Sequence, residues 1–218
     1  MLLRDIQRAF ETALLEPVRV FEEIATTKTF SAPSDFTTDD LCLLEGVLSR
    51  TWQIWCRFCR SLIMESCRGT QEISGAIVPA IPKAISEDLV SGAAIQAKLG
   101  RRITWSRANT ILRNEPTWGD VDVLLDIANG LRPGNLAKII SMCTMASSGA
   151  KLIQMVRNAS AHDNHQSLNG LTRFGTAYAM FPIDHACQAL FWVEHTTTNY
   201  MLPYALEQLD AAVKYVVQ

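Results

Sequence analysis

The chain has 218 residues, 48% of them hydrophobic and 19% charged, with a formal net charge of -2. Such a balance supplies a sizeable core, argues against a disordered chain, and excludes a molecule that attracts nucleic acid over its whole surface. The charge is uneven: between Arg50 and Arg113 ten basic residues face four acids, a surplus of six in the middle third, which reads either as a zone that steers a polyanion or as an ordinary solvated surface.

Residues 1–25 are expected to form an amphipathic helix, because Leu2, Leu3, Ile6, Phe10, Leu14 and Leu15 recur at spacings of three and four. Pro17 is expected to kink or break it. The Thr-, Ser- and Pro-rich stretch 26–37 reads as a loop. Thr38-Asp39-Asp40 opens the clearest helix, since a hydroxyl cap followed by two acids suits a positive helix terminus. Its apolar stripe includes Leu41, Leu44, Leu48, Trp52, Trp55, Phe58 and Leu62 and runs to about Cys67. The two tryptophans lie on that stripe and are expected in the core.

Residues 69–85, with Gly75, Pro79 and Pro82, read as an irregular connection. Ser86-Glu87-Asp88 caps another helix ending near Gly100. The stretch 101–118 is mixed, with Trp105, Ile111 and Leu112 available to pack on a core. A short helix from Asp120 to Asn129 is expected to close at Gly130. Pro133 suits the first turn of the next helix, to about Met145, and Ser147-Ser148 is expected to start another holding Leu152, Ile153, Met155 and Val156. A loop over 163–182 and a last helix over about 183–216, kinked at Pro203, complete the chain. Without alternating strands or repeats, the fold class is all-α: an up-and-down helical bundle with a helical or irregular insertion near 69–118, in one domain over 1–218.

Six cysteines follow no disulfide framework, and the N-terminus shows no signal peptide. No apolar run reaches transmembrane length. A cytoplasmic protein with reduced thiols, away from the membrane, is expected. Cys56-Arg57-Phe58-Cys59 is a lone C-x-x-C without a second pair, and His162, His165, His185, Cys187 and His195 show no compact ligand spacing. No metal and no cofactor is therefore expected.

The most informative stretch is Met155-Val156-Arg157-Asn158-Ala159-Ser160-Ala161-His162-Asp163-Asn164. Arg157 and His162 are separated by four residues, and a polar Asn158 follows the arginine. Chance gives ~0.08 matches to such an Arg-polar-spacer-His pattern in a chain of this composition. The stretch resembles the signature of the HEPN superfamily of helical ribonucleases, as does its place at the end of an apolar helix before a last long one. The resemblance implies a HEPN-type bundle and a metal-independent endoribonuclease whose products are a 2′,3′-cyclic phosphate and a 5′-hydroxyl. It implies a homodimer in which two motifs face each other, an RNA substrate such as tRNA or mRNA, and a toxin or antiviral-defence role with an antitoxin or defence-system partner protein. The alternative is a non-catalytic HEPN module that binds RNA, a nucleotide or a partner protein.

The residue types suit that chemistry. An imidazole titrates near neutrality, so His162 can move a proton. The planar fork of Arg157 can hold phosphate oxygens as negative charge develops. Asn158 is placed to orient His162, four residues on. Residues five apart on an α-helix are rotated by about 140°, so Arg157 and His162 do not share a face of a regular helix. A helix end, a bulge, a break or a site shared between two chains is expected there. Glu45, on the long capped helix, is either a support that contacts Arg157 or His162 or a solvated charge. Arg50 and Arg57, seven apart on one face, either bind RNA backbone or belong to a salt-bridged surface.

Overall fold

The computed structural model describes residues 1–27, 29–106, 115–162 and 165–218. The chain is all-α: helices α1 (Leu3–Thr27), α2 (Thr38–Arg68), α3 (Glu87–Lys98), α4 (Val121–Leu131), α5 (Leu136–His162), α6 (His165–Leu171) and α7 (Met201–Val217) carry most of it. Strands β1 (Thr70–Gln71) and β2 (Ile77–Val78) pair antiparallel, with Thr70 opposite Val78. Strands β3 (Tyr178–Ala179) and β4 (Val193–Glu194) pair likewise, with Tyr178 opposite Glu194. At two residues each, these strands are too short to write an alternating pattern into the sequence.

Contacts divide the chain into two compact units, the first made of Met1–Thr12, Trp55–Ser147 and Asp210–Gln218, the second of Ala13–Ile54 and Ser148–Leu209. In the first, Trp55 is fully buried against Phe10 and Phe58, and its indole N–H donates to the Gly119 carbonyl at 2.9 Å. Such a pairing lets a large aromatic be buried without stranding its polar end. Leu62, Ile63, Leu124, Ile127 and Ile139 are also buried in this unit. In the second unit Phe191 is the hub, in ring contact with Phe21, Phe30, Phe36 and Tyr200, and Leu44, Val47, Leu48, Ile153 and Val156 are buried there as well.

Several boundaries differ from the sequence reading. The α1 helix continues through Pro17, which is itself buried on the stripe that buries Leu14, Phe21 and Ile24; burial of that face outweighs the missing backbone bond. The cap of α2 is Thr37 rather than Thr38: the Thr37 hydroxyl accepts from the Asp40 amide, and the Asp40 carboxylate accepts from the Thr37 amide at 2.8 Å, a reciprocal capping box. Ser86 caps α3 as expected. Gly130 does not close α4. It lies inside the helix where a Cβ would come within 2.6 Å of Ala97, and Arg132, in the left-handed conformation, forms the cap. Of the residues expected to pack from 101–118, Ile111 and Leu112 lie outside the described residues.

The helices expected on either side of Ser147 are one, α5. Gly149 there sits against α7, since a Cβ would meet the Ala205 carbonyl oxygen at 2.6 Å. By length and composition α5 is apolar enough to cross a membrane, contrary to the reading that no run reaches that length. Half of its most apolar stretch is buried, with core residues such as Ile139 and Met142 in one unit and Ile153 and Val156 in the other. The last helix is shorter than expected. Residues 186–191 form a 3-10 helix, β4 follows, and the Glu194 carboxylate gathers the amides of Thr196 and Thr197 and the Thr197 hydroxyl into a turn that leaves Thr198 at a φ of 60°. Only at Met201 does α7 begin, which places Pro203 in its first turn, where no amide donor is needed.

Candidate functional site

The Arg157–His162 stretch is the C-terminal end of α5, in regular helix to its last residue. Ile153, Val156 and Ala159 are buried at intervals of three, which turns Arg157, Asn158, Ala161 and His162 outward, all exposed. At 100° per residue Asn158 and His162 lie within about 40° of each other, whereas Arg157 and His162 diverge by about 140°. No bulge or break is found among the described residues of the motif. Asn158 engages the arginine, accepting from Arg157 Nη1 on its Oδ1 at 3.1 Å.

Ser160 faces the other way. Its hydroxyl donates to Glu45 Oε1 at 2.8 Å, so α2 reaches the motif through Ser160. The same Glu45 oxygen lies 3.3 Å from His185 Nε2. His185 is the N-cap of the 186–191 helix, its Nδ1 accepting from the Cys187 amide at 3.3 Å. With Nδ1 accepting, the neutral ring carries its proton on Nε2, pointed at the carboxylate. The ring is 22% exposed and Glu45 45%, so a ligand can reach both. Gln188 is buried and fixes the segment: its Oε1 accepts from the amides of Asp184 and His185, and its Nε2 donates to Asp184 Oδ1.

The Cys187 thiol donates to Ser160 Oγ at 3.8 Å. Burial pushes this thiol up to about 12, the Glu45 charge adds to that, and the Ser160 contact opposes it. It is a protonated packing group rather than a nucleophile. The polar cluster thus comprises Glu45, Ser160 and His185 in the same unit as Arg157, Asn158 and His162. Ser160 and His185 did not stand out in the sequence as functional; the signal for His185 was a residue with a ring acceptor three positions before Gln188, the spacing of a capping box.

Arg50 and Arg57 are exposed on α2. Two other basic residues of the middle third are held in ion pairs, Arg60 with Glu87 and Glu115, and Arg68 with Glu65, while Arg107 and Arg113 lie outside the described residues. All six cysteines are free thiols. Among the described residues no group of three or more His, Cys, Asp or Glu could hold a metal ion. No family model matches the chain, and no curated protein or solved structure is significantly similar to it.

Proposed function

We propose that the chain is a metal-independent endoribonuclease of HEPN type, with Arg157, Asn158 and His162 at its centre. The observation that carries this reading is the joint exposure of those three polar side chains on the last turns of a helix whose opposite face is anchored in a core. A helix end used only for packing has no need to hold an arginine against an asparagine in solvent.

In the reaction the substrate's 2′-hydroxyl loses its proton to a base and its oxygen bonds to the adjacent phosphorus. The bond from phosphorus to the 5′-oxygen breaks, and that oxygen takes a proton from an acid, leaving a 2′,3′-cyclic phosphate and a 5′-hydroxyl. His162 supplies one of the two proton transfers, and Arg157 holds the non-bridging oxygens as charge builds. The divergence of Arg157 and His162 means that one motif does not close on one phosphate from a single face. Two copies of the chain facing each other would supply Arg157 from one and His162 from the other, which accords with the expected homodimer. A toxin or antiviral-defence role, restrained by an antitoxin or defence-system partner protein, is part of the same proposal.

The same divergence favours the second reading, a non-catalytic module that binds RNA, a nucleotide or a partner protein. One experiment separates the two. Wild type and His162→Ala are incubated with tRNA and mRNA in EDTA, and the ends are analysed. Cyclic-phosphate ends from wild type alone support the enzyme; retention of intact RNA without cleavage supports the binding module; equal cleavage by the variant removes His162 from the site.

A further inference from the structure

The reaction requires Arg157 and His162 to be held in fixed directions, and an exposed stretch of helix is held only by the contacts its other faces make. Both lie on α5 (Leu136–His162), with Arg157 just over one turn before His162. Ser160 lies between them, and its hydroxyl is tied to Glu45 Oε1. Glu45 is itself held by His185 Nε2. An exposed glutamate on a helix samples many rotamers, so the contact that selects this one decides whether the clamp on α5 exists.

Resting on the ribonuclease reading, we propose that His185 is a positioning residue for the motif, acting through Glu45 and Ser160 rather than on the RNA. An N-cap requires only an acceptor, and Asn, Asp or Ser serves best. Histidine adds a second nitrogen on the far side of the ring. Here Nδ1 does the capping and Nε2 reaches the carboxylate. Gln188 fixes the backbone that carries the ring. The chain of contacts from the 186–191 helix through α2 to α5 sets the rotation of α5 at Ser160, and with it the directions of Arg157 and His162. A displacement of about an ångström at such groups costs on the order of a hundredfold in rate.

The test uses His185→Asn, which keeps the cap acceptor but is too short to reach Glu45, beside His185→Gln, which is long enough to donate to it. RNA cleavage by wild type, both variants, Glu45→Gln and the double variant His185→Asn/Glu45→Gln is measured together with thermal melting. The expected result is a kcat reduced by about ten- to a hundredfold in His185→Asn with KM and melting temperature close to wild type. Recovery of most of the rate in His185→Gln and a double variant no slower than the slower single variant are expected with it. An active wild type with an equally active His185→Asn overturns the positioning role alone, as does a loss that follows the melting temperature or a double variant in which the two losses multiply. A wild type that cleaves no RNA overturns the ribonuclease reading and the positioning role with it.

Discussion

Each of the two compact units holds a carboxylate among polar partners, and they treat it differently. In the first, both oxygens of Glu115 are taken: Oε1 accepts from Arg60 Nη2 and Ser91, and Oε2 from Arg60 Nε and the Trp118 indole. The side chain is 17% exposed. In the second, the contacts to Ser160 and His185 both fall on one oxygen of Glu45, which is 45% exposed. A closed, bidentate network around a half-buried charge is a device for stability, because losing either partner strands the other. A carboxylate held on one edge and nearly half exposed stabilises little. On the proposed reading, the functional end of the molecule belongs to the second unit.

The largest expected effect breaks the comparison on the functional side. His162→Ala should lower RNA cleavage by about a hundred- to ten-thousandfold while the thermal melt stays at the wild-type temperature. On the structural side, Arg60→Ala should destabilise by about 1–3 kcal/mol in urea denaturation, because it leaves the Glu115 carboxylate without its charged partner, and the cleavage rate of the folded protein should not change. Acid should sharpen the contrast. Burial alone would raise the Glu115 carboxyl; Arg60, Ser91 and Trp118 overcome it and hold the group below its ordinary 4.5. A carboxyl depressed by folding stabilises above the ordinary range and loses that contribution as pH falls through its folded value. Urea midpoints should therefore drop on acidification below 4.5, and less steeply in Glu115→Gln. The smallest effects belong to the surface. Arg50→Ala and Arg57→Ala should each change stability by less than about 0.5 kcal/mol; if either contacts RNA backbone, the salt dependence of binding falls by about one in slope.

The helices were legible wherever a cap and a stripe agreed, as at Ser86 and along Leu44 to Ile63. Elsewhere tertiary contact overrides the local signal. Gly130 looked like a terminator, but it is a glycine because Ala97 leaves no room for a Cβ. Ser147-Ser148 looked like a start, yet the serines sit inside α5. The apolar spacing of the final segment continues as if through one helix, but the turn built by Glu194 on Thr196 and Thr197 competes with helix there. At the site, Arg157, Asn158 and His162 were visible as a local pattern. The pairing of Glu45 with Ser160 and His185 was not, since it joins residues more than a hundred positions apart and no periodicity encodes such a meeting.

Gly149 gives α5 a mechanical character. Its bare α-carbon rests on the backbone of Ala205, so the helix has a fulcrum there. A helix rises about 1.5 Å per residue, which puts Arg157 about 12 Å and His162 about 20 Å along a stiff rod from that point. A methyl group at Gly149 would pry the rod away from α7 and tilt it, and the far end moves further than the point that is pushed. A packing residue remote from Arg157 and His162 thereby bears on where the motif points.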